Sequence, residues 1–251
     1  MRDDITANLA CWERDADDYQ RRNAAQLNRW DRLGWGVWDV PEDQVGALGR
    51  VEGLEALELG CGGGQFGIRV ARLGARVVGL DFSARQLAHA GAHARKLGER
   101  FPLVRADAER LPFAEGSFDL VFCDHGAMTF TDPRVTVPEA ARVLRPGGRL
   151  VFNHATPIHC LCRPREGTPG RRLERPYFAL GRLEDEGYAT EWQLTYGEWI
   201  RLFTSSGLAI EDLVELRPPD GAAATTYRDY VSPDWARDFP AEEIWKVRKP
   251  A

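Results

Sequence analysis

Glu58, Asp81, Asp107 and Asp124 each stand at or just after the end of a short apolar run, and Glu58 opens the segment Glu58-Leu59-Gly60-Cys61-Gly62-Gly63-Gly64. Glycines in such a segment let the backbone turn tightly and let a ligand approach where a Cβ would collide. A carboxylate ending the next run, Asp81, is suited to accept both hydroxyls of a ribose. Read literally, Gly62-x-Gly64-x-x-Gly67 followed by Asp81 also satisfies the dinucleotide fingerprint. The charge argues otherwise, because a carboxylate two residues before the first glycine repels a pyrophosphate and attracts an ammonium or a sulfonium. Acids after four successive runs form a negative crescent that suits a cationic ligand with a diol and an exocyclic amine. His125 follows Asp124 and His154 follows Asn153, and either imidazole could take a proton near neutral pH. His154, His159, Cys160 and Cys162 cluster without the paired spacing of a zinc site, so no metal is expected.

These side chains need a frame. Residues 54–59 and 75–80 are apolar runs of strand length, with a glycine-rich turn and a helical pattern over 68–73 between them. Short continuous runs are what strands covered on both faces require. Pro146-Gly147-Gly148 reads as a turn, since proline cannot continue a helix and glycine takes the positive φ that follows. Residues 194–206 read as a helix ending at Gly207, and 208–216 and 243–248 as two last strands. The expected fold is α/β: a Rossmann-like, seven-stranded, mostly parallel sheet with an antiparallel last strand and helices on both faces. One domain over 1–251 is expected, with an N-terminal helical arm (1–50), a ligand-binding core (51–153), a small lid (154–193) and a C-terminal part (194–251).

As an ordered set, the segments resemble the class I S-adenosylmethionine (SAM)-dependent methyltransferases, in particular the core motifs of the ubiquinone and menaquinone methyltransferases. Glu58 to Gly64 is similar to that family's first motif, and Val77-Val78-Gly79-Leu80-Asp81-Phe82-Ser83 to its second strand and ribose-binding acid. Arg105-Ala106-Asp107-Ala108-Glu109 resembles the segment whose Asp reaches the adenine amino group. Ser117 to Asp124 resembles the fourth strand, and Val143-Leu144-Arg145-Pro146-Gly147-Gly148 the approach to the fifth. The resemblance covers about residues 52–153. It implies SAM as cofactor, S-adenosylhomocysteine (SAH) as product, and a cofactor site made of Tyr19, Glu58, Gly60, Cys61, Gly62, Gly64, Asp81, Phe82, Ser83, Gln86, Asp107, Ala108, Asp124 and His125. Tyr19 and Trp30 resemble N-terminal aromatics that close over the cofactor. His125 and His154 are the candidate catalytic bases. Asp124-His125-Gly126-Ala127 departs from the Asn/Asp-Pro-Pro-Tyr/Phe pattern of enzymes that methylate planar nitrogens. The expected reaction is methyl transfer to a small-molecule acceptor, oxygen favoured and nitrogen or carbon open. An NAD-dependent oxidoreductase and a non-catalytic SAM-fold binding module stand as alternatives.

A net charge of −5 argues against a nucleic-acid-binding surface, and no apolar run approaches membrane-spanning length. Five cysteines without a disulfide spacing fit a reducing compartment, and a cytoplasmic monomer or homodimer is expected. The arginine-rich segment 163–175 reads as a loop that could meet an acidic substrate or carrier. Trp192, Trp199, Trp235, Trp245, Tyr177, Phe178 and Tyr188 are divided between core and a lid over a flat or apolar molecule.

Overall fold

The computed structural model describes residues 3–164, 167–184, 189–227 and 230–251. Its centre is a seven-stranded sheet built from β1 (Glu55–Leu59), β2 (Arg76–Asp81), β3 (Leu103–Arg105), β4 (Phe118–Asp124), β5 (Leu144–Ala155), β6 (Ala209–Leu216) and β7 (Glu242–Arg248). Their spatial order is β6-β7-β5-β4-β1-β2-β3. The first five run parallel, and β7 is antiparallel to both β5 and β6. Strand order reverses between β1 and β4, which opens a crevice beyond their carboxyl ends.

Alternation along each strand assigns side chains to two cores. Ala56, Phe122, Val151 and Ile244 face one side, where they pack with Phe66, Ile68, Ala90 and the buried Trp35 and Trp38. Leu57, Val121, Cys123, Phe152 and Trp245 face the other, against Met128, Val137, Ala140, Trp199 and Phe203. The helices on the first side include α1 (Asp3–Arg22), α2 (Gln65–Arg72) and α3 (Ala84–Leu97); those on the second include α4 (Gly126–Phe130) and α5 (Pro133–Val143). Beyond β5 come α6 (Pro157–Cys162), α7 (Tyr196–Ser205), which joins the second core, and α8 (Pro233–Asp238).

Helix starts follow local chemistry. The Ser83 hydroxyl accepts from Gln86 N at α3, and Thr195 and Glu198 form a reciprocal capping box at α7. The Pro146-Gly147-Gly148 turn lies inside the hydrogen-bonded span of β5. There the pairing jumps from Phe118↔Leu144 to Leu120↔Arg149, and Gly147 takes φ +80°. The arm is helical as its pattern predicts, and it lies across α3 through Asp17–His89 (2.9 Å) and Gln20–Gln86 (2.9 Å). A short hairpin, Gly34–Trp35 with Val40–Pro41, then carries the chain onto the sheet. No helix among the described residues is long and apolar enough to cross a membrane.

Candidate active site

A cavity of about 1810 Å³ lies beyond the strand ends, between the arm, the glycine turn and the segments after β5. One lobe is lined by Tyr19, Gly60, Cys61, Gly62, Asp81, Phe82, Gln86, Asp107 and Ala108. Asp81 is buried, and its two oxygens accept from Gly62 N (2.9 Å) and Ser83 N (2.8 Å). Burial raises its pKa to about 6, against the lowering by those backbone donors. Asp107 Oδ1 accepts from Glu109 N at 2.9 Å, fixing the carboxyl in the turn after β3. Gly62 takes φ +51°, and a Cβ there would meet nothing nearer than Gln86 Oε1 at 3.8 Å. Its bare backbone is what the turn offers to the cavity.

The neighbouring glycines also serve packing. A Cβ on Gly60, at φ +69°, would collide with the backbone nitrogen of Ala127, so the turn and α4 meet backbone to backbone. Gly64 caps α2 in the left-handed conformation and is hemmed in by Phe101 and Ala90, outside the cavity lining. Ser83 is likewise fully buried and spent on its cap. Gly67 gives way to the Glu58 carboxyl: a Cβ there would strike Glu58 Oε2. The third glycine of the literal dinucleotide fingerprint therefore accommodates an acid, the group a pyrophosphate would avoid. Burial first, then the charge of Asp124, raises the Glu58 pKa well above the usual carboxyl range. Its Oε2 is buried without a hydrogen-bond partner among the described residues.

The second lobe begins at the end of β4. Asp124 accepts from Gly36 N (3.0 Å) and Asn153 Nδ2 (2.8 Å). His125 stands at φ +60°, a region that costs a non-glycine residue energy. Its Nε2 lies 2.5 Å from Oε1 of Glu242, a fully buried carboxylate at the start of β7. Glu242 also accepts from Val37 N (2.9 and 3.1 Å) and Asn153 Nδ2 (3.3 Å). Burial lowers the His125 pKa, but the hydrogen bond and charge of Glu242 and the charge of Asp124 outweigh it and bring the value to about 8.

The structure does not bring His154 to this lobe, which corrects the expectation that both histidines share the rim. Asn153 faces the cavity side, so period-two alternation turns His154 to the opposite face. There it is 1% exposed, wedged between Phe152 and Trp199, with Nε2 3.2 Å from Glu243. Trp30 is likewise outside the cavity lining, its ring 5.4 Å from that of His93. Tyr19 does line it, and its hydroxyl meets that of Tyr227 at 3.4 Å across the mouth.

Arg163 pairs with Glu191 (2.7 Å) and Arg171 with Asp238 (2.5 Å), so these two arginines of the loop are matched by acids of their own chain. Trp199 and Trp245 belong to the second core and Trp235 to the first, while Phe178 is 91% exposed. Tyr188 and Arg165 lie outside the described residues. Among the described residues no group of three or more His, Cys, Asp or Glu could hold a metal ion. His159 is buried beside Tyr230, its pKa driven down to about 3 by burial and by the charges of Arg163 and His125.

Sequence reasoning missed Glu242, Gly36, Val37 and Tyr227. The Glu242-Glu243 pair opening an apolar strand was the available signal, because alternation must send one of the two carboxylates toward each face of the sheet.

The sheet order and the crevice, with the buried Asp81 at the end of β2, define an open α/β domain of the nucleotide-binding layout. Residues 57–152 match the family model of the methyltransferase domain. An uncharacterised methyltransferase of Bacillus subtilis is 29% identical over 165 residues, 65% of this chain and 60% of that protein. A demethylmenaquinone methyltransferase of Mycolicibacterium paratuberculosis is 40% identical over 116 residues, 46% of this chain and 48% of that one. A SAM-dependent methyltransferase structure from Mesorhizobium loti superposes with a TM-score of 0.65 at 28% identity, covering 82% of this chain and 95% of the other. Residues 57–152 are a methyltransferase domain, and the chain is similar in sequence and fold to SAM-dependent methyltransferases. It spans about half to three-fifths of the length of these two curated relatives.

The site fits the family's cofactor on its own terms. The orphaned Glu58 oxygen suits an ammonium donor, Asp81 suits a diol, the open backbone at Gly62 gives room, and the lining acids disfavour phosphate.

Proposed function

We propose that this chain transfers a methyl group from SAM to a small-molecule acceptor, with a hydroxyl oxygen as the favoured acceptor atom, and releases SAH. The observation that carries the reading is the juxtaposition in one cavity of an adenosyl-type lobe, Gly60 to Asp81, and a buried-carboxylate-supported imidazole, His125. When bound, the cofactor supplies a methyl group activated by a sulfonium. Glu58 would hold its ammonium, Asp81 its ribose and Asp107 its adenine amine, with Gly60, Cys61, Gly62, Phe82, Gln86, Ala108 and Asp124 around it and Tyr19 closing the mouth. His125 would accept the proton of a hydroxyl acceptor. Holding two reactants in line contributes about 7–11 kcal/mol in favourable cases.

Relatives bear on the acceptor only by analogy. Their names include a ubiquinone biosynthesis O-methyltransferase of Aromatoleum aromaticum, 29% identical over 143 residues, which spans 51% of this chain and 61% of that protein. A Burkholderia thailandensis structure holding 1,6-didemethyltoxoflavin, an N1-methyltransferase, shares the fold at a TM-score of 0.59 and 15% identity, covering 99% of this chain and 88% of that one. We also propose a cytoplasmic monomer or homodimer; the net charge of −5 disfavours a nucleic-acid partner, and no helix among the described residues is long and apolar enough to cross a membrane.

Calorimetric titration with SAM, SAH and NADH in parallel tests the reading. Binding of both adenosyl ligands and not NADH is the expected result. NADH alone would restore the oxidoreductase alternative, and no binding of any of the three would leave only a non-catalytic module.

A further inference from the structure

The pair His125–Glu242 has an internal asymmetry. The backbone and amide contacts to Glu242 are donations, Val37 N–H to both oxygens and Asn153 Nδ2–H to Oε1, and the imidazole Nε2 lies 2.5 Å from Oε1. A carboxylate accepts and does not donate, so the hydrogen between Nε2 and Oε1 belongs to the ring. The ring's other nitrogen, Nδ1, has no hydrogen-bond partner among the described residues, and the side chain keeps 27% of its exposure on the cavity wall. Gly36, at φ +66°, must be glycine for this arrangement, because a Cβ would strike the Glu242 carboxylate. The same Gly36 donates its N–H to Asp124, so hairpin, β4, β5 and β7 all converge on one imidazole.

We infer that Glu242 is the positioning residue of this site: by holding Nε2–H of His125 it makes Nδ1 the unprotonated nitrogen of the neutral ring, open to the cavity as the proton acceptor for a hydroxyl substrate. The inference rests on the methyltransferase reading only for the identity of that substrate. In the proton step the acceptor O–H bond breaks and its electron pair stays on oxygen. The proton forms a new bond to Nδ1, giving an imidazolium whose second N–H remains on Glu242, and it leaves later through the exposed edge of the ring. Hydroxyls acidic enough to meet an imidazole, phenolic or enolic ones, are the class this device serves: an ordinary alcohol holds its proton too tightly, and a thioether carries none to remove.

Asp124 from β4, Glu242 from β7 and Glu191 from the segment after α6 all raise the basicity of His125. His159 of α6 couples to the same ring and is itself uncharged at neutral pH. The tyrosine Tyr230, which feels the charge of Glu242, completes the surroundings.

The test is nitrogen-detected NMR of histidine-labelled protein in its SAH complex, with His125→Gln assigning one of the five imidazoles. In the native protein His125 is expected to titrate near 8, and above that midpoint to carry its single proton on Nε2. Glu242→Gln keeps an acceptor and removes the charge, so the midpoint is expected to fall to about 6.5 or below, with SAH affinity changed by less than about twofold. A neutral ring protonated on Nδ1, or an unmoved midpoint in Glu242→Gln, would overturn the inference. The tautomer is read in the native chain, so the answer stands even if the variant does not fold. A merely structural Glu242 would leave both readouts unmoved. Failure of SAH to bind the native protein would instead strike the methyltransferase reading and leave the titration of His125 still to be read.

Discussion

The two lobes of the cavity are built in opposite ways. The cofactor lobe comes from chain-local pieces: a strand end, the turn after it, the next strand end, and the turn after β3. Gly62 N donates to Asp81 across only 19 residues, and Asp107 is held by Glu109 two residues on. The acceptor lobe is assembled from five distant stretches, joining Gly36 and Val37 to Asp124 and His125, to Asn153, to Tyr227 and to Glu242. Local assembly lets a short motif specify a site. Distant assembly makes the site depend on the whole sheet and leaves it free to vary in what it accepts.

The largest expected effect breaks the structural link between the lobes. Gly60→Ala puts a Cβ into the Ala127 backbone at positive φ, and neither neighbour can move without shifting α4. A loss of about 3 kcal/mol or more in urea unfolding is expected, together with loss of SAH binding. A near-native midpoint would mean that the turn and α4 are less tightly joined than the geometry says.

Next, Asp81→Asn addresses the cofactor lobe alone. Removing a charged acceptor for two hydroxyls costs about 1.5–3 kcal/mol, and calorimetry should show SAH affinity weakened by about ten- to a hundredfold. The same carboxyl sets a pH limit. Its pKa in the free protein is about 6, and in the proposed ribose role the ionised form is the one that would accept both hydroxyls. Native SAH affinity should be flat above about pH 7 and decline as pH falls through 6, and Asp81→Asn should lack that decline. Equal pH dependence in both proteins would remove Asp81 from the ribose role.

His125 contributes to stability with the opposite sign of pH dependence. Its folded pKa of about 8 lies above the ordinary histidine value of about 6.5, so its contribution is complete below 6.5 and lost as pH rises through 8. The difference in unfolding free energy between native protein and His125→Gln should shrink by about 2 kcal/mol at most from pH 6 to pH 9. A difference independent of pH would deny the coupling to Glu242. The smallest effect is expected at Phe178→Ser, where a ring 91% exposed outside both lobes should change stability by less than about 0.5 kcal/mol and leave SAH binding alone.

Much of the frame was legible. The strand-length runs, the glycine turn and the helix over 194–206 gave the sheet and its antiparallel end, because hydrophobic period and turn chemistry are local properties. The roles of individual glycines were less so. Gly67 belonged to the literal dinucleotide fingerprint, and the structure spends it on Glu58; Gly60 lines the cavity and also lets Ala127 approach. His154 shows the limit most sharply: a one-residue step along β5 decides which face a side chain takes, and proximity in sequence to Asn153 carried no such information.

By itself, then, the sequence determined the parallel sheet, the nucleotide-type turn and the acids on its strand ends, since each follows from residues within one or two turns of chain. Only the tertiary structure decided which histidine meets the cavity and which carboxylate supports it. Glu242 is 117 residues from His125, and nothing local relates them. They meet because β7 enters beside β5 antiparallel, placing its first residue at the carboxyl end of a strand that runs the other way.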